Sequence, residues 1–308
     1  MLHEVKYTIR IIAINSSGEP MNTLVTNTPN ILNILLIDRT MTSSRRIRNI
    51  IWANDNYIEQ DATLYAPTAQ IKSQLIMGDY CNLIRSRAQK AASVQKQRTK
   101  TNAEVFTPVR IIEMQNNAVE TEYLADDLEI YTKRKWLEIT CGEAPYMTSR
   151  YDMVSGENIP ISERVGFVDR KLARISKEVS DKAEWQRLVE LAYKSSYGFE
   201  WNGDSLFIAR ENLLLTYNDY YFDKWNEYPT HGLLEEIAVI ISFNVFQMDG
   251  LTCTIPLSES REPVQQLSLF TINTPEIMEW EITPGKRVRI MNWDTNKMEF
   301  FDKGTNVR

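Results

Sequence analysis

Glu138 lies in Trp136-Leu-Glu-Ile-Thr-Cys-Gly-Glu-Ala-Pro-Tyr146. It is the only acid on the apolar run 136–139, which gives way to a turn at Gly142. A strand that ends this way builds a nucleotide-type pocket at the end of a central parallel strand. Gly142 permits a backbone angle that other residues resist and lets a ligand approach the main chain. Three more polar residues close apolar runs: Asp169 ends Arg164-Val-Gly-Phe-Val-Asp169, Asn212 follows Ser205-Leu-Phe-Ile-Ala209, and Asn244 follows Ile237-Ala-Val-Ile-Ile-Ser-Phe243. With each run a strand, the four side chains converge outside the carboxyl ends of one sheet, where such sheets bind ligands. A second chemistry is electrostatic. Arg85, Arg87, Lys90, Lys96, Arg98 and Lys100 lie between Asp79 and Glu104 with no acid among them. Such a run is either a solvated face or an arm that contacts phosphates.

Other chemistries are poorly supplied. His3 and His231 are the only histidines, so a His-rich metal site is not available and no metal is expected. His231 has no nucleophile motif near it. Cys81, Cys141 and Cys253 form no CxxC pair, and their odd number argues against a disulfide framework. A reducing cytoplasm fits best. Cys141 reads as a small buried residue, since nothing nearby would lower its pKa. The tight turn is the preferred role of Asp249 in Gln-Met-Asp-Gly.

The elements that must position these residues follow from pattern. The 308 residues, 43% hydrophobic and 25% charged, suffice for one large domain or two modest ones. The net charge of −6 excludes a uniformly basic surface but not a local basic patch. No run of about 18 apolar residues appears, so no membrane span is expected. Residues 1–75 read as an N-terminal extension with strands: 5–14 is β-branched, 16–20 is a turn, and 31–37 is a strand or a buried helix. Residues 76–100 read as a basic helical segment. Residues 101–255 alternate strands (136–139, 164–169, 205–209, 237–243) with helices. One helix spans 181–196, with Trp185, Leu188, Val189 and Ala192 at helical spacing. That alternation predicts an α/β fold, a parallel sheet covered by helices. Residues 256–308 read as a small β-rich extension with a hairpin, 288–293 and 297–301 around Asp294-Thr-Asn296.

Glu104-Val-Phe-Thr-Pro108 and Leu137-Glu-Ile-Thr-Cys-Gly-Glu-Ala-Pro-Tyr146 resemble the first motifs of class I S-adenosylmethionine-dependent DNA methyltransferases. The group they resemble is the gamma-type adenine-modifying subunits of restriction-modification systems, over roughly residues 100–255. The resemblance implies a Rossmann-like sheet with helices on both faces and S-adenosylmethionine as cofactor. Phe106, Thr107 and Pro108 match the Phe-Thr-Pro motif at the methionine end of the cofactor. Glu138 matches the acid that faces the cofactor's ammonium group. Cys141 and Gly142 match the turn, Asp169 the acid that holds the ribose hydroxyls, and Asn212 a contact to the cofactor adenine. Asn244 stands where the catalytic Asn-Pro-Pro-aromatic motif begins, and Phe246 is the ring that stacks on the extruded base. Two positions depart from the pattern. Ala144 replaces a second glycine, which suits an ordinary backbone angle there. Asn244-Val-Phe-Gln247 replaces Asn-Pro-Pro-Tyr.

The implied reaction is methyl transfer to the N6 amine of adenine in DNA, with the base flipped out of the duplex. The implied partners are DNA, a specificity or endonuclease subunit, and a second copy of the chain. The competing expectation is a methyltransferase-like DNA-binding or assembly subunit that has lost catalysis. A change of substrate to RNA or a protein amide also fits. Glu138 has a structural alternative, capping the next turn or pairing with Arg134. Asp169 has one too, pairing with Arg170 or Arg174.

Overall fold

The computed structural model describes residues 28–41, 47–86, 89, 107–263 and 280–303. The expectations for the strand 5–14, the turn 16–20, Phe106, Arg87, Lys90, Lys96, Arg98 and Lys100 fall outside the described residues. Among those described, the chain is mixed α/β, with seven α-helices and a three-stranded parallel sheet.

Strand β1 is Trp136–Ile139, β2 is Ser196–Glu200 and β3 is Val245–Gln247. They lie in the order β1-β2-β3, with Trp136 opposite Ser196 and Gly198 opposite Val245. Parallel neighbours need crossovers. Helices α4 (Phe167–Glu178) and α5 (Lys182–Lys194) carry the chain from β1 to β2. Helices α6 (Gly203–Trp225) and α7 (His231–Asn244) carry it from β2 to β3. The three carboxyl ends therefore share one edge of the sheet. β1 is an edge strand and not the central one, and the full Rossmann-like arrangement is not seen among the described residues.

Three expected strands are helical. The run 164–169 leads into α4, with Gly166 as its N-cap and Asp169 in the first turn. The run 205–209 lies inside α6, and the run 237–243 inside α7. A helix buried on several sides is apolar nearly all round, so its sequence resembles a strand buried on both faces. Helix α6 shows this directly, being buried almost continuously from Gly203 to Tyr221. The expected helix near 181–196 forms as α5. Asp181 caps it by accepting from Glu184 N at 2.8 Å, and Trp185, Leu188, Val189 and Ala192 are buried.

Helix α1 (Pro29–Leu36) takes the helical alternative for 31–37, and Ile31, Leu32, Leu35 and Leu36 join the same core as α5, α6 and α7. The helical segment expected from residue 76 is replaced, as far as residue 86, by a short 3-10 turn at Gly78–Tyr80, after another at Ser73–Leu75. Helix α2 (Val109–Glu120) begins directly after Pro108, whose φ of −60° suits a helix start, and α3 (Leu128–Lys133) is capped by Asp127. Towards the C-terminus, β4 (Ser260–Pro263) pairs with β5 (Trp280–Thr283). The expected hairpin forms from β6 (Arg289–Asn292) and β7 (Lys297–Phe300). No described helix is long and apolar enough to cross a membrane.

Candidate functional site

β1 presents alternate residues to opposite sides, as a strand must. Glu138 is 6% exposed, whereas Leu137 and Ile139 are 40% and 70% exposed. The Glu138 carboxylate accepts from Tyr146 N at 3.2 Å through Oε1 and from Met147 N at 3.0 Å through Oε2. It thus caps the chain that follows the turn, and Arg134 pairs instead with Asp126. Burial pushes the Glu138 carboxyl up to about 8; the two N–H donors oppose the shift and nearby Glu200 adds to it.

The turn after β1 has two left-handed residues, Gly142 at φ +53° and Ala144 at φ +63°. The ordinary angle expected at Ala144 is not found. The chain needs a glycine-like conformation at both positions, at a cost of about 1–2 kcal/mol for the alanine. Glu200, at the end of β2, accepts from Gly142 N at 2.9 Å and from Asn202 N at 3.1 Å. That carboxylate ties the first two carboxyl-end turns together, and burial raises its pKa.

Helix α2 lies alongside. Asn116 donates to Tyr146 O at 3.1 Å and to Val165 O at 2.9 Å, which fixes the helix against the segment after the turn. Between α2 and the free edge of β1 runs a groove of 480 Å³. Its lining includes Gln115, Asn116 and Val119 of α2, Glu138 and its strand neighbours, and four aromatic residues, Tyr123, Trp136, Tyr146 and Phe167. Trp136 stacks on Phe167 with ring centroids 5.1 Å apart, and Tyr123 meets it edge-on at 6.4 Å. The size falls within the range of small-molecule sites, roughly 300–1,000 Å³.

The other residues singled out in the sequence do not join Glu138 in one pocket. Asp169 is fully buried in the first turn of α4 and accepts from Ser149 N at 2.8 Å. Burial raises its carboxyl to about 6 against the pull of Arg164. Its expected partners are engaged elsewhere, Arg170 with Glu120 and Arg174 with Glu178. Asn212 sits within α6, not beyond a strand, and donates to Glu143 O at 3.0 Å and Tyr151 Oη at 2.9 Å. Asn244 stands at the amino end of β3, opposite the edge where ligands bind. Its Nδ2 donates to the carbonyls of Tyr193, Lys194 and Ser196, and its Oδ1 accepts from Trp293 Nε1 at 2.7 Å. Phe246 is 1% exposed and packs with Phe199 and Phe301 in a second small core. Both residues are displaced for one reason: the strand begins at Val245, so the apolar run before it is helix. Cys141 is buried, and burial pushes its thiol well up. Thr107 and Pro108 immediately precede α2, and Arg85 bends back onto the Asn82 carbonyl at 2.8 Å. At the carboxyl end of β3, Asp249 accepts from Leu251 N at 2.8 Å, the tight-turn role expected of it.

Sequence reasoning missed Glu200 and the aromatic walls of the groove. Glu200 was legible, because Ser196-Tyr-Gly-Phe-Glu200 alternates before a Trp-Asn-Gly turn. The walls were not, since Tyr123 and Phe167 come from segments that meet β1 only on folding. No protein-family model, curated protein or solved structure matches this chain.

Proposed function

We propose that the chain is an S-adenosylmethionine-dependent methyltransferase of adenine in DNA, with its cofactor in the groove between α2 and β1. One observation carries the reading. The helix that directly follows Thr107-Pro108 and the strand that bears Glu138 line the same groove. The helix reaches the groove with Gln115, Asn116 and Val119, while its start lies apart, with Val109 N donating to Asp152 Oδ2 at 3.0 Å; what supports the reading is that one helix links the Thr107-Pro108 motif to the wall facing Glu138.

The residues present suit that cofactor. A buried carboxylate with only backbone donors on it complements a positive ligand. Aromatic faces attract sulfonium and ammonium groups and stack on adenine. When bound, the cofactor supplies an activated methyl group. Glu138 would hold its ammonium group, the aromatic side chains of the groove would receive its cationic part, and Glu200 keeps the Gly142 turn in place. An acceptor that orients the target amine would come from the carboxyl edge, where Asp249 is the first acidic side chain after β3, two residues beyond Gln247. The basic run from Arg85 to Lys100 supplies the phosphate contacts.

The structural commitments of Asn244 and Phe246 favour a second reading, a DNA-binding or assembly subunit that binds cofactor without using it. Ultraviolet cross-linking with methyl-labelled S-adenosylmethionine and peptide mapping tests the shared premise. Label is expected on peptides containing residues 115–123 or 136–146. Label confined to other peptides, or none, overturns the cofactor assignment.

A further inference from the structure

We infer that the α2–β1 groove is a proton-linked receptor for an organic cation, so that a ligand bearing a quaternary ammonium or sulfonium centre displaces a proton from Glu138 as it binds. The inference rests on the same groove as the proposed function, but it concerns what the groove recognises and how pH controls it.

The geometry supplies both halves of a cation site. Tyr123, Trp136, Tyr146 and Phe167 contribute aromatic walls. The negative face of such a ring attracts a cation, more strongly when water is excluded. Glu138 contributes a carboxylate at the buried side, satisfied only by the backbone N–H groups of Tyr146 and Met147.

Among the described residues, the charged neighbours leave that carboxylate without a cation of its own. On β2, Glu200 has the same sign and is committed to Gly142 and Asn202. Lys135, the cation in the groove lining, pairs with Asp294 at 3.1 Å. Arg134 pairs with Asp126. On α2, Glu120 pairs with Arg170 of α4. Asp169 of α4 is held by Ser149 N. Cys141 is a neutral thiol, raised by burial. Tyr146 donates its hydroxyl to Gln115. Burial raises the Glu138 carboxyl to about 8. A ligand cation supplies the missing opposite charge and favours the ionised form. Affinity must then rise with pH up to that value and level off above it, because the ligand and the proton compete for one carboxylate.

The test uses the whole chain and two probes of equal shape, choline and its uncharged isostere 3,3-dimethylbutan-1-ol. Calorimetry in buffers of different ionisation enthalpy counts the protons released. Choline is expected to bind with nearly one proton released at pH 7, and its affinity to rise about tenfold from pH 6.5 to 7.5. The neutral isostere should bind more weakly and release none. Glu138→Gln, checked by its melting curve, should abolish the pH dependence. Equal binding of the two probes, a flat pH profile in the unmodified chain, or no choline binding at millimolar concentration overturns the inference. Methyl transfer is scored separately. Proton-linked choline binding without transfer keeps the cation site and removes the proposed function; transfer with a flat pH profile of binding does the reverse.

Discussion

Asn244 and Glu138 differ in what their polar atoms hold. Both are buried polar groups that end or punctuate an apolar run. Glu138 lies on a strand that the sequence delimits residue for residue, and its carboxylate caps Tyr146 N and Met147 N beside the groove. Asn244 follows a run whose length and apolarity suit either a strand or a buried helix, and the helix forms. It therefore acts as a four-way hydrogen-bond clamp between α5, β2 and Trp293. Asn244→Ala would leave three carbonyls and an indole N–H short of a partner. Each unpaired buried group costs about 1–3 kcal/mol, so the expected loss is on the order of 2–4 kcal/mol after partial relaxation. Urea unfolding measures it. Cofactor binding by the folded fraction should be unchanged, whereas a catalytic asparagine predicts lost activity at normal stability.

At the scale of elements, the chain from Glu143 to Gly166 packs on α6 through buried polar side chains. Arg150 and Arg164 share Asp219 at 2.5 Å and 2.7 Å, and Thr148 meets Thr216 at 2.5 Å. Five atoms along this seam have no hydrogen-bond partner among the described residues: Arg150 Nε, Arg164 Nη1, Asp169 Oδ1, Glu211 Oε1 and Asn218 Oδ1. Burial raises Glu211 to about 7; Arg150 opposes the shift and Glu143 adds to it. From about pH 4.5 to 7 the native state keeps this proton while the unfolded chain has lost it. Raising pH through that window therefore favours unfolding, by up to about 1.4 kcal/mol per pH unit. Lys171, whose pKa burial lowers, acts in the opposite direction, so the measurement must be a difference between two chains that both carry it. Glu211→Gln is expected to lose less stability than the unmodified chain between pH 5 and 7. Parallel pH dependences in the two would show that Glu211 is ionised throughout. None of this seam was legible in sequence, because its partners lie about 50–70 residues apart in the chain, as with Arg150 and Asp219. The legible elements were those with local signals: the helix near 181–196, the 136–139 strand and the Asp294-Thr-Asn296 hairpin.

For the whole molecule, alternation of apolar segments correctly implied a parallel sheet with crossover helices, and misjudged which segments were strands. Among the described residues the parallel sheet has three strands, and the helices α1, α5, α6 and α7 share one core around them. The C-terminal hairpin closes the amino edge through the Trp293–Asn244 bond, a Tyr197 to Met291 contact at 3.5 Å and the Lys135–Asp294 pair. With that edge sealed, the groove beside β1 and the turns at Gly142, Trp201 and Asp249 are where ligand chemistry belongs. The most direct test is transfer of tritiated methyl from S-adenosylmethionine to genomic DNA, with Glu138→Gln as the comparison. The account predicts label in N6-methyladenine that falls at least tenfold in the variant while its melting curve is retained. Label that persists undiminished in Glu138→Gln, or no label in DNA despite cofactor binding in the groove, would contradict it.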